Sequence, residues 1–141
     1  MFGLGVKLEG LVGKKYYGET KYLDPVAAAQ KYADFLRNTK KCDLVVCLSH
    51  LGYDYGQAED LVSDRKLAAQ THGIDIILGG HTHTFLTEPN VLKNSKGVNV
   101  LVNQVGWAGI LLGRIDFYFD KDKKISKVSF QNQFIDNKII A

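Results

Sequence analysis

Two strand-length runs of mainly apolar residues, Leu44-Val45-Val46-Cys47-Leu48 and Ile74-Asp75-Ile76-Ile77-Leu78, each stop abruptly at a histidine-bearing segment. The first ends at Ser49-His50-Leu51-Gly52 and the second at Gly79-Gly80-His81-Thr82-His83. Apolar runs of this length without strict polar alternation predict parallel strands covered on both faces. Helical patterns precede each run. Asp24-Pro25 supplies an N-cap acceptor and a proline at the first helical position. Val26, Ala29, Ala33 and Leu36 then form one apolar stripe, ending near Asn38. A polar loop follows Gly52, and a second helix is expected from about Ser63 to Thr71, with Gly73 as its stop. Helix, strand, loop, helix, strand implies an α/β layer with parallel neighbours, whose ligands bind beyond the carboxyl ends of the strands. Three of the chain's four histidines fall there.

The flanks read differently. Met1 to Val6 resembles the tail of a buried strand, so the chain is expected to be a piece of a larger domain. Residues 7 to 23 read as a loop with short strands. Val98 to Val102, Ile110 to Phe119 and Ile125 to Gln133 read as antiparallel strands, the last two joined by Asp120-Lys121-Asp122-Lys123. Ile115, Phe117 and Phe119 alternate with Arg114, Asp116 and Tyr118, as in a half-exposed sheet. The charge balance of +3 is too mild, and the basic residues too scattered, to argue for nucleic acid. No apolar run approaches a membrane span. Cys42 and Cys47, five apart across a strand, face opposite ways and read as reduced packing residues.

An H-x-H aims two imidazoles toward one region, and neighbouring glycines allow close approach. His50, His81 and His83 are therefore the candidate metal ligands. Neutral imidazole suits zinc, manganese, iron or nickel without choosing among them. His72, beside Gly73 at a helix C-terminus, reads as structural. Tyr53, Tyr55 and Trp107 are packing or loop aromatics that could also stack on a base.

Taken together, Ser49-His50-Leu51-Gly52 and Gly79-Gly80-His81-Thr82-His83-Thr84 resemble the last two motifs of the calcineurin-like metallophosphoesterases. The similar branch is that of 5'-nucleotidase and 2',3'-cyclic-nucleotide phosphodiesterase. Gly73-Ile74-Asp75-Ile76-Ile77-Leu78 and Val102-Asn103-Gln104-Val105-Gly106-Trp107-Ala108-Gly109, leading into Leu112-Gly113-Arg114-Ile115, match the same branch. The resemblance runs from about residue 1 to 135. It implies the C-terminal half of a four-layer α/β/β/α sandwich, with residues 1–141 forming one portion of a single catalytic domain.

By that resemblance His50 and His81 hold one divalent metal ion and His83 the other, the two ions about 4 Å apart and sharing a hydroxide that attacks phosphorus. Asp75 and Asn103 are candidates for orienting ligands or substrate, or for purely structural roles. The family's Asp-x-His, Gly-Asp and Gly-Asn-His-Glu motifs do not occur in these residues, so the leaving-group histidine and the bridging carboxylate are absent from the chain. Glu88 is the one acidic residue near a histidine loop in sequence, and Pro89 follows it. The expectation is part of a binuclear nucleotide phosphoester hydrolase that is inactive by itself, its partners being the missing N-terminal half or a second copy. The alternative is a non-catalytic metal-binding or interaction module. Likeness to exported relatives places the parent protein in the periplasm or at the cell surface.

Overall fold

The computed structural model describes residues 1–56 and 61–136. Of the loop expected after Gly52, residues 57–60 lie outside the described residues. Among the described residues seven strands form two sheets. In chain order they are β1 (Phe2–Leu4), β2 (Val46–Ser49), β3 (Ile76–Leu78), β4 (Asn90–Lys93), β5 (Asn99–Asn103), β6 (Leu111–Phe119) and β7 (Ile125–Phe134). The helices are α1 (Lys14–Tyr17), α2 (Pro25–Asp34) and α3 (Asp64–Gln70); α2 runs on into a π-helical segment, Phe35–Thr39.

The larger sheet has the order β1-β2-β3-β5-β4, parallel except for β4, which pairs antiparallel with β5. The fold is thus mixed α/β, a parallel sheet followed by antiparallel strands. β4 carries no sequence signal because Asn-Val-Leu-Lys after Glu88-Pro89 is too short to show a period. Residues 7 to 23 hold the helix α1 and no strand, so the short strands expected there do not form.

Local chemistry sets the helix starts. Asp24 accepts a hydrogen bond from the Ala27 N–H at 2.7 Å, with Pro25 in the first turn. Ser63 caps α3 through the Lys66 N–H. Each such cap stabilises by about 1 kcal/mol. Both helices lie on one face of the large sheet. Ala29 and Ala33 of α2 and Leu67 and Ala68 of α3 pack with Cys47, Ile77, Val100 and Val102 in one buried core. His72 and Gln30 tie the two helices together, the Gln30 side-chain oxygen accepting from the His72 N–H at 2.9 Å. Both cysteines are free.

The opposite face is covered only in part. Ile76 and Leu101 are buried on it, but Leu48 and Leu78, paired across β2 and β3, are 45% and 37% exposed, while the alternate residues Cys47 and Ile77 are fully buried. The apolar runs do form strands, yet the described residues place helices on one side only. The β6–β7 hairpin forms a separate two-stranded sheet. Its turn is fixed by Asp120, whose carboxylate accepts from the Asp122 and Lys124 N–H groups. The alternation expected along β6 breaks at a register shift between Tyr118 and Phe119, and Phe119 is 44% exposed. Asn132 joins the hairpin to the rest, donating to the Leu86 carbonyl at 2.7 Å and meeting the Asn103 side chain. No described helix is long and apolar enough to cross a membrane.

This asymmetry has a measurable consequence. Ile77→Ala should destabilise the chain by about 2–5 kcal/mol in urea unfolding, since it opens a cavity in the covered core. Leu48→Ala, on the open face, should cost less than about 1 kcal/mol. Equal losses would show that both faces are covered.

Candidate functional site

β2, β3 and β5 end side by side, because Leu48 pairs with Leu78 and Leu78 with Asn103. The chain leaves each strand in register, and the histidine segments emerge together. The His50 N–H still donates to the Leu4 carbonyl at 2.8 Å, and the Gly79 N–H to the Asn103 carbonyl at 2.8 Å. The backbone is therefore held as strand up to the first residue of each loop.

Beyond that point a polar network takes over. Gln104 is buried just past β5, and its amide reaches across to the Gly80 carbonyl at 2.8 Å. Its carbonyl oxygen accepts from the Thr82 hydroxyl and the Thr84 N–H. The Thr82 hydroxyl in turn accepts from the Tyr53 N–H at 2.9 Å, linking the second histidine loop to the first. These bonds hold His81 and His83 in left-handed backbone, at φ of 79° and 54°. Such conformations cost a non-glycine residue roughly 1–3 kcal/mol and persist where the surroundings over-determine them.

The imidazoles of His50 and His81 face each other with ring centroids 5.2 Å apart at 64°. Two imidazoles on one tetrahedral zinc, with bonds of about 2.0–2.1 Å, place their centroids roughly 5 Å apart, so the spacing fits a shared ion. His83 does not join them. Its ring stacks on Trp107 at 5.7 Å and 13°. Among the described residues no group of three or more His, Cys, Asp or Glu is gathered as a full metal site requires. Among the described residues the candidate donors that lie close together are His50 and His81.

The remaining candidates fall elsewhere. Asp75 lies just before β3, at the end away from the histidines, where its carboxylate pairs with Arg37 and accepts from the Val45 N–H. It links the π-helical segment to β2 and β3. Asn103 is buried at the end of β5 and turns its amide to Asn132, anchoring the hairpin. Tyr53 and Tyr55 spend their hydroxyls within the protein, Tyr53 accepting from Asn90 and Tyr55 donating to the Leu51 carbonyl. Trp107, 56% exposed, packs its ring on His83.

Two residues beneath the site are not candidates on sequence alone. Asp64 reads as an ordinary acidic residue in the first turn of a helix, and Gln104 as part of a motif. Asp64 is fully buried, and one carboxylate oxygen accepts from the Ser49 hydroxyl. Burial raises its carboxyl to about 6 from an ordinary 3.8, with the Ser49 hydrogen bond opposing.

No family model matches the chain. It is 32% identical over 98 residues to the trifunctional nucleotide phosphoesterase protein YfkN of Bacillus subtilis (strain 168), covering 70% of this chain and 6% of that protein. It is 30% identical over 134 residues to snake venom 5'-nucleotidase of Gloydius brevicauda, covering 86% and 21%. The crystal structure of a 5'-nucleotidase precursor from Thermus thermophilus superposes with a TM-score of 0.67 at 33% identity, covering 80% of this chain and 23% of that one. The chain belongs to the 5'-nucleotidase branch of the metallophosphoesterases. It spans less than a third of the length of each of these relatives.

The buried carboxyl of this metallophosphoesterase chain gives a pH test. A carboxyl whose folded value is raised stabilises below its unfolded value, and that contribution is lost as pH rises through the folded value. For Asp64 the window runs from about 3.8 to about 6. The loss across it is roughly 3 kcal/mol, at 1.36 per unit. The stability of the native chain relative to Asp64→Asn should therefore fall by that amount between pH 4 and pH 7, measured by urea unfolding. A constant difference would mean that Asp64 ionises as freely folded as unfolded.

Proposed function

We propose that this chain contributes the histidine half of a two-metal phosphoester hydrolase acting on nucleotides, as one portion of a single catalytic domain. The observation that carries the reading is the convergence of His50 and His81 at adjoining strand ends, at a spacing that suits a shared ion. Their neutral nitrogens would hold one divalent ion, and His83 would serve the second. A bound pair of such ions would supply an activated water and neutralise charge on the phosphoryl oxygens. The chain's own part is to hold the ligands: Gln104 fixes the loop bearing His81 and His83, and Trp107 covers one face of the His83 ring.

Among these residues nothing supplies an anionic bridge. Two divalent cations about 4 Å apart repel strongly unless a shared anion offsets them. The chain alone therefore takes up one ion, loosely, and hydrolyses no phosphoester. The open sheet face bearing Leu48 and Leu78 supports a further layer packing there, from a preceding segment of the same domain or from a second copy.

Zinc titration by calorimetry should give at most one site, weakened about tenfold or more by His50→Ala or His81→Ala and little by His83→Ala. Hydrolysis of a nucleoside monophosphate should stay at background with zinc or manganese present. Extending the chain through any upstream coding sequence that carries the missing aspartate and histidine motifs should bring a second ion and turnover. Metal-dependent turnover by the 141-residue chain would refute the half-site reading. Zinc bound by the extended protein without turnover would favour the non-catalytic module.

A further inference from the structure

Asp64 lies beneath both histidine loops, and each of its polar groups meets a different part of them. Its backbone N–H donates to the Gly52 carbonyl at 2.7 Å, two residues beyond His50. One carboxylate oxygen accepts from the Ser49 hydroxyl, which also accepts from the Leu51 N–H at 3.1 Å, so the residues on either side of His50 are tied to it. The other oxygen, Oδ2, is buried, has no hydrogen-bond partner among the described residues, and lies against Gly79. A Cβ on Gly79 would overlap that oxygen, and one on Gly80 would come within 3.0 Å of His50 Nδ1. Glycine at both positions lets the second loop close down over the carboxyl and onto the His50 ring.

A fully buried carboxyl is costly to hold, and one oxygen left unpaired makes it more so. Leu67 and Ala68 of the same helix already secure α3 in the core, so its packing does not depend on an acidic residue here. What Asp64 adds is a rigid polar spacer between Ser49 and Gly79, which lead into the two histidine turns. We propose that Asp64 is a positioning residue for the histidine pair, setting the separation of the His50 and His81 rings through Ser49 and Gly79. The inference rests on the proposed function only in taking those two rings as metal ligands.

The test reads ring separation first, without metal. In the native chain, NMR cross-relaxation should connect the ring protons of His50 and His81. Asp64→Ala should abolish that contact, and Ser49→Ala should weaken it at least twofold; the second variant decides if the first fails to fold. Asp64→Asn keeps the acceptor for Ser49 and should restore the contact. Leu67→Ala, a core truncation on the same helix, should lower the unfolding midpoint yet keep the rings together. Zinc affinity should follow the same order, at least tenfold weaker in Asp64→Ala and within threefold of native in Asp64→Asn. Rings that stay together in folded Ser49→Ala and Asp64→Ala, or that separate equally in Leu67→Ala, would overturn the proposal. If the native chain binds no zinc, the metal reading fails, and the ring contacts alone decide the role of Asp64.

Discussion

A carboxyl group shut away from water and the amide of Gln104 just past β5 do most to shape the upper edge of this sheet. Asp64 reaches Ser49 and Gly79, and Gln104 reaches Gly80, Thr82 and Thr84. The strands of the large sheet end at Ser49 and Asn103, and beyond them only isolated backbone pairs continue, such as His50 with Leu4 and Phe85 with Val105. The polar network takes over there and imposes the left-handed turns at His81 and His83. Buried polar networks that specify one arrangement carry a large penalty when partly broken. The loop glycines follow from the same constraint, since side chains at 79 or 80 would collide with Asp64 or His50.

The stability of the chain and its chemistry lie on different faces. The helix side is close-packed, with Ala29, Ala33, Leu67, Ile77 and Val102 fully out of solvent. The other side buries Ile76 and Leu101 but shows Leu48 and Leu78, and the β6–β7 hairpin exposes Leu112, Phe130 and Phe134. An apolar face of this kind commonly marks a surface that packs against something. The histidines divide as well, with the His50 and His81 rings side by side and His83 apart on Trp107. These exposed apolar residues belong to a chain that spans only a fraction of its relatives' length.

Much of this architecture was legible in the residues. The apolar runs at 44–48 and 74–78, the Asp24-Pro25 helix start and the Asp120 turn each carry a local signal, and each forms close to where the pattern places it. Burial was harder to read, because an apolar run looks the same whether one face or both are covered; Leu48 shows the difference. β4 has four residues and no period. At the site, spacing alone brought His50 and His81 to neighbouring strand ends. Spacing could not reveal that Asp75 lies at the far end of its strand with Arg37, nor that Asn103 serves the hairpin. Asp64 was hidden for a related reason. An acidic residue in a first helical turn is commonplace, and only the fold brings it fifteen residues back to Ser49.

Strand register and a buried polar network bring the His50 and His81 rings side by side, with centroids 5.2 Å apart. Zinc-edge anomalous diffraction from crystals of this chain grown with zinc tests whether the two rings share an ion. A shared ion gives a single strong peak bonded to one ring nitrogen of His50 and one of His81, with Gly79 still seated on the Asp64 carboxyl. Zinc bound elsewhere, or the two rings turned apart with neither bonded to it, would rule a shared ion out.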